Sequence, residues 1–167
     1  AGDLKLGLEM ATAWDGSGNP TAWADARGKT LSFLRMKDDG TVEQNADILW
    51  EPGATYNLNA FRIVNKGSLA LKYEITVNGV KGSSKLLEAI NFTAKINGRE
   101  EALNNLTGVL LPKGATAQTA DEVVEKTDLI TISGTMKTSA GNEYKNLTLD
   151  GISITVKAMQ VSYEYDS

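Results

Sequence analysis

Apolar and polar residues alternate with a period of two in at least five segments of the chain. In the first segment, Leu4, Leu6, Leu8 and Met10 alternate with polar or small residues. A period of two is typical of β-strands that bury one face and expose the other. The remaining segments are residues 69–77, 90–96, 130–136 and 152–158, with Tyr163 and Tyr165 beyond the last.

Two weaker strands fit residues 31–36 and 56–64. In the second, the apolar phase changes between Leu58 and Phe61, which predicts a bulge or bend near Ala60. Turn-forming Gly, Asn, Asp and Pro residues separate the predicted strands. These turn signals are Asp15-Gly16, Gly18-Asn19-Pro20, Asp38-Asp39-Gly40, Pro52-Gly53, Lys66-Gly67, Asn78-Gly79, Asn97-Gly98 and Asp150-Gly151.

Helix is expected only in two short connectors. Residues 84–89 predict one or two turns, with Ser84 as the N-cap and with Leu86 and Leu87 facing inward. Residues 119–126 predict a second short helix that begins with a capping-box pattern.

Residues 11–29 and 99–125 lack clear alternation and are predicted to form long loops or insertions. The seven or eight strands predicted elsewhere, at short spacing and punctuated by turns, favour an antiparallel β-sandwich. We therefore predict a single all-β domain over residues 1–167, with short connector helices and long loops.

The composition excludes several classes of chemistry. The chain of 167 residues has no cysteine and no histidine, so disulfides, thiolate zinc sites and a Ser-His-Asp triad are impossible. A net charge of −4 argues against nucleic acid as a partner. We expect no enzymatic activity, no cofactor, no metal site and no membrane span, and we interpret the start at Ala1 as a mature or trimmed end.

Paired carboxylates occur at three places, and a glycosidase can use two such groups. Nothing in the sequence brings any two pairs together, and charged residues are mostly exposed. We interpret the pairs as parts of solvated loops and helix caps. They are Asp38-Asp39, Glu100-Glu101 and Asp121-Glu122.

The tryptophans carry the main alternative function. Trp14 and Trp23 fall within the predicted loop 11–29, and exposed aromatic residues on a loop can stack on sugar rings. Packing or a subunit contact is the favoured interpretation, because tryptophan is enriched at interfaces. A monomeric or surface-attached binding module, possibly for glycans, is the alternative. Trp50, before the Pro52-Gly53 turn, is expected to anchor that turn to the core.

Several segments, taken in order, resemble the TasA/camelysin family. They follow the opening Ala1-Gly2-Asp3-Leu4-Lys5-Leu6 and cover most of residues 1–10 and 50–166. The segments are Trp50-Glu51-Pro52-Gly53, residues 61–73 (FRIVNKGSLALKY), Ser84-Lys85-Leu86-Leu87, residues 128–137 (DLITISGTMK), residues 140–144 (AGNEY) and residues 150–156 (DGISITV).

The resemblance implies a secreted or cell-surface, jelly-roll-like subunit of biofilm-matrix fibres, exported through a SipW-type signal peptidase and assembled by donor-strand exchange. The partners it implies are copies of the same chain in a head-to-tail homopolymer, with matrix polysaccharide as a further possible partner. Because residues 3–10 alternate cleanly, we expect Leu4, Leu6, Leu8 and Met10 to enter a neighbouring subunit by β-strand addition. Two alternatives stay open. The donor segment lies upstream of Ala1, or residues 3–10 form an ordinary first strand. The metallopeptidase label of some relatives gains no support from a chain without histidine.

Overall fold

A computed structural model describes residues 2, 4–37, 42–43, 48–111 and 127–161. Within these residues, twelve strands form one antiparallel hydrogen-bonded network that does not close into a barrel, so the predicted all-β, sandwich-like fold is confirmed. The strands are β1 Leu6–Trp14, β2 Pro20–Asp25, β3 Leu31–Met36, β4 Val42–Glu43, β5 Thr55–Leu58, β6 Phe61–Asn65, β7 Leu71–Gly82, β8 Ile90–Ile96, β9 Arg99–Glu101, β10 Leu106–Leu110, β11 Thr127–Met136 and β12 Leu149–Gln160.

Strand β3 joins the two parts of the network. Neighbouring strands follow the order β10-β7-β12-β3-β5-β11-β6-β1-β2, with β8 on the other side of β11, β9 beside β8 and β4 beside β3. Leu31 and Ser32 pair with β12, whereas Phe33 and Leu34 pair with β5. Apolar side chains from both parts meet in one buried cluster. It includes Leu71 and Tyr73 of β7, Phe61 and Ile63 of β6, and Ile130 and Ile132 of β11.

Several local predictions are confirmed. Strand β3 has the predicted bounds, and the bend near Ala60 separates β5 from β6. Asn97 and Gly98 have φ angles of 52° and 82° and form the tight turn between β8 and β9, as this residue pair favours. Trp50 is buried, and its indole N–H donates a hydrogen bond of 2.9 Å to the carbonyl of Leu149.

The loop predicted for residues 11–29 is wrong. Strand β1 continues to Trp14, and β2 returns beside it as a hairpin. The pairing register shifts around Thr12, so the apolar period breaks at that point. Alanines occupy four of the ten paired positions of the hairpin, and alanine carries little of the apolar signal from which alternation is recognised. Residues 99–125 also contain structure, since β9 and β10 lie within their described part.

Two predicted turns are strand irregularities instead. Asn78-Gly79 lies inside β7, and Asp150-Gly151 lies inside β12. The β7–β12 register skips one residue at Asn78 and one at Asp150. Turn-forming residues therefore mark bulges here, because a bulge needs the same local backbone freedom as a turn.

The first predicted connector is a 3-10 helix at Ser84–Ala89. Ser83, and not Ser84, occupies the N-cap position, and it makes no side-chain capping bond. Leu86 is buried as predicted, but Leu87 is 38% exposed, because the tighter helix turns that side chain outward. The predictions for residues 119–126, Tyr163 and Tyr165, and for the carboxylate pairs Asp38-Asp39 and Asp121-Glu122, fall outside the described residues.

Candidate functional site

Residues 6–10 of the predicted donor segment 3–10 belong to strand β1, which lies between β2 and β6 within its own chain. Residues Leu6 to Met10 pair in register with Asn65 to Phe61. Leu8 is buried, and Leu6 and Met10 are half-buried and pack against the core. Leu4 precedes the strand and is 44% exposed. The four predicted donor residues therefore divide into three that contact the core of their own chain and one that is largely exposed.

The other face of β1 carries a small polar and aromatic cluster. Arg62 of β6 lies opposite Glu9, and its Nε donates a hydrogen bond of 2.8 Å to Glu9 Oε1. The same guanidinium stacks 4.3 Å from the centre of the Trp23 ring, at the distance of a cation–π contact. Trp23 pairs with Ala11, which is buried. The cluster links β2, β1 and β6, and it gives Trp23 a packing contact within the chain.

The turn between β1 and β2 is held by the carboxylate of Asp15. Its Oδ1 accepts hydrogen bonds from the backbone N–H groups of Ser17 and Asn19, at 2.8 and 3.0 Å. These backbone donors lower the pKa of the Asp15 carboxyl below its ordinary value. These bonds hold the turn at residues 15–19, which joins β1 to β2.

Trp14, at the end of β1, lines an open groove of about 320 Å3. We call it the Trp14 groove. Trp14 and Trp23 do not share a loop, because each lies in a strand of the β1–β2 hairpin, and only Trp14 contributes to the groove. Both apolar and polar residues line the groove. Trp14, Pro20, Leu34, Val42 and Leu129 contribute apolar groups, and Asn57, Thr93, Lys95, Thr131 and Ser133 contribute polar ones.

Within the described residues, most of one backbone edge of strand β12 is unpaired. The strand pairs with β7 along its length, but among the described residues β3 covers its other side only at Gly151 and Ile152. We call residues 153–160 the open edge. Ile154, Val156 and Ala158 point toward the core from it and are only half-buried.

The apolar surface continues around the open edge. Val77 of β7, the pairing partner of Ile154, is 44% exposed. Ile154 also lines a cavity of about 20 Å3 together with Leu8, Leu31 and Phe61. The open edge therefore lies beside β1, with incompletely covered apolar side chains on its inner face.

The most strongly perturbed titratable group is structural. Tyr73 is fully buried, and its hydroxyl donates a hydrogen bond of 2.8 Å to Asp128 Oδ2. Burial is the main cause that raises the pKa of Tyr73, and the bond to Asp128 adds to it. Asn97 donates to the other oxygen of Asp128 at 2.8 Å. The network joins β7, β11 and the β8–β9 turn, and it does not open into the Trp14 groove.

Among residues 2, 4–37, 42–43, 48–111 and 127–161, no three acidic side chains come together in a group able to hold a metal ion. Glu101 of the predicted Glu100-Glu101 pair instead accepts a hydrogen bond of 2.7 Å from Arg99. In the same residues, no helix is long and apolar enough to cross a membrane.

Comparisons of the chain with family models, with curated proteins and with solved structures give no match. Function is therefore argued from the geometry. Neither the open edge nor the polar residues of the Trp14 groove were predicted from the sequence. An unpaired edge depends on where a neighbouring strand stops. The groove is lined by residues from seven strands and from the β1–β2 turn. The clean alternation in residues 152–158 was the available signal for the open edge.

Proposed function

We propose that the chain is a structural subunit of an extracellular filament in which a β-strand from one copy completes the sheet of the next. The observation that carries the proposal is the open edge of β12, with Ile154 and Val156 half-buried on its inner face. The resemblance to the TasA/camelysin family supports the extracellular location. Because donor and acceptor are different surfaces, the contact is heterologous and generates an open filament.

The open edge has the properties of an acceptor. Natural proteins protect long edges with proline, bulges, charges or a covering element. Residues 153–160 contain no proline and one lysine, and no described strand covers their free side. Eight residues of strand span about 26 Å, a usual strand length. Completing the burial of Ile154 and Val156, which are already half-buried, contributes about 1 kcal/mol each, before the cost of association.

The donor in this proposal is the segment that precedes Leu6 and includes Leu4. Residues 1–5 are long enough to pair with up to five of the eight residues of the open edge. Addition of this segment leaves every strand pair of the single chain intact, and it buries a leucine that is otherwise exposed. In the alternative, β1 itself is exchanged, and Leu6, Leu8 and Met10 enter a neighbour. That exchange first breaks the five-residue pairing with β6 and separates β1 from β2 or moves the whole hairpin, so we favour addition.

A lysine scan of β12 tests the acceptor. Val156→Lys places a charge on the inner face of the open edge, and Met159→Lys places the same side chain on the outer face of the same strand. We expect Val156→Lys to abolish fibres in electron micrographs and Met159→Lys to retain them, with both variants folded by circular dichroism because a half-buried lysine can extend to water. Equal fibre formation by both variants would contradict an acceptor at this edge.

A further inference from the structure

We propose that the Trp14 groove binds an acidic polysaccharide, with a sugar ring stacked on Trp14 and a uronic-acid carboxylate paired with Lys95. The site is separate from the open edge, and the proposal does not depend on filament assembly. The groove lies at the β1–β2 hairpin tip and extends over β8 and β11. Its volume of about 320 Å3 is within the range of ligand sites.

The open shape of the groove and its apolar residues suit a sugar chain. Trp14 is half-buried, so part of its indole ring is accessible from the groove. Pro20 follows across the turn and lies beside Trp14 as its pairing partner. A sugar ring has apolar C–H faces, and a flat aromatic surface in an open groove can accept one such face while the chain continues past it.

The polar residues of the groove offer groups that can form hydrogen bonds with sugar hydroxyls. Thr93 and Ser133 lie opposite each other on β8 and β11, and their hydroxyl oxygens are 2.8 Å apart. Thr131, two residues before Ser133 on β11, is exposed and lies opposite Lys95. On the other side of β11, Asn57 of β5 lies opposite Ser133. Hydroxyl and amide groups both donate and accept hydrogen bonds, as sugar hydroxyls do.

Lys95 gives the groove a cation that can attract an acidic sugar. It is the one ionisable side chain among the described residues that line the groove, and Glu100, which lies opposite Lys95 on β9, does not line it. Lys95 is exposed, and it forms no ion pair with any residue in the described part of the chain. The chain as a whole carries a net charge of −4, so attraction of a polyanion must come from this local site. The contact is solvent-exposed, and salt therefore weakens it.

Isothermal titration with a defined oligosaccharide tests the proposal. The probe is a linear hexamer of galacturonic acid, and a neutral cellohexaose is the reference ligand. We expect the acidic hexamer to bind more tightly, and to bind less tightly at 0.5 M salt than at 0.05 M salt. The indole N–H resonance of Trp14, assigned with Trp14→Phe, should shift during the titration, whereas that of buried Trp50 should not.

A matched pair of lysine variants locates the charge contact. Lys95→Gln removes the groove lysine, and Lys72→Gln removes an exposed lysine on β7, outside the groove. We expect Lys95→Gln to weaken binding of the acidic hexamer about two- to five-fold, the scale of a solvent-exposed ion pair, and Lys72→Gln to leave it unchanged. The proposal would be overturned if the two variants weakened binding equally. It would also be overturned if cellohexaose or a glutamate hexapeptide bound as tightly as the acidic hexamer. Absence of binding at millimolar concentration would overturn it as well.

Discussion

Ile154 of β12 and Leu8 of β1 line the same small cavity, at the place where the open edge of one strand lies beside the other. Leu8 is 8% exposed, whereas Ile154 is only half-buried. The core of the single chain is therefore closed over β1 but incomplete beside β12. In the proposed filament, an added strand would complete it without displacing Leu8.

Leu4→Asp tests the proposed donor segment. Leu4 is largely exposed in the single chain, so the change should alter its free energy of unfolding by no more than about 0.5 kcal/mol. In a filament the same aspartate would be buried without a partner, which costs several kcal/mol per junction. We expect fibres to disappear in electron micrographs. Leu87→Asp, at a similarly exposed leucine on the 3-10 helix, is the control and should leave fibres intact. Normal fibres of Leu4→Asp would show that residue 4 is not buried at the junction.

The variant Leu6→Asp distinguishes two modes of assembly: addition of the segment before Leu6 to a neighbour, and exchange of β1 itself between copies. Leu6 is half-buried against the core of its own chain, opposite Asn65. We expect urea denaturation to show a loss of about 1–3 kcal/mol in the free energy of unfolding of the single domain. Lys5→Asp, at the exposed neighbouring position, should cause a smaller loss. If β1 belongs to a neighbour instead, Leu6→Asp would abolish fibres and leave the stability of the isolated domain unchanged.

The buried Tyr73 hydroxyl predicts an alkaline decline in stability. A tyrosine in the unfolded chain loses its proton near pH 10, whereas the raised pKa of Tyr73 keeps the folded hydroxyl protonated. The unfolded state then binds fewer protons, so the free energy of unfolding falls as the pH rises above about 10.

Tyr73→Phe should remove this contribution and lower stability at pH 7 by about 1 kcal/mol, because Asp128 loses one hydrogen-bond donor. Urea denaturation at pH 7 and at pH 10.5 measures both effects. Tyr144→Phe, at a half-buried hydroxyl that contacts Glu88, should leave most of the decline in place. If the free energy of unfolding of Tyr73→Phe fell by the same amount between pH 7 and pH 10.5, the decline would be due to other groups.

Regular alternation was sufficient to predict most of the fold, and it failed where the alternation is interrupted. The bounds of β3 and the bend at Ala60 followed from the apolar phase alone. The β1–β2 hairpin was missed because the register shifts around Thr12 and because alanine carries little apolar signal. Asn78-Gly79 and Asp150-Gly151 were misassigned as turns because a local dipeptide does not distinguish a turn from a bulge.

The candidate sites depend on relationships that no local pattern contains. The open edge exists because the pairing of β3 with β12 ends after Ile152, which is a property of two strands more than a hundred residues apart. Trp14 and Lys95 meet in one groove although they are distant in sequence. The period-two pattern of residues 152–158 predicted a strand with one apolar face, but it did not predict that one side of the strand lacks a partner.

Electron microscopy of the purified chain over a range of concentrations tests the filament proposal most directly. The account predicts long, regular, unbranched fibres, and in a reconstruction it predicts a strand from the neighbouring copy along residues 153–160 of β12. Monodisperse particles with the mass of a single chain at every concentration, or fibres in which residues 153–160 face solvent, would contradict it.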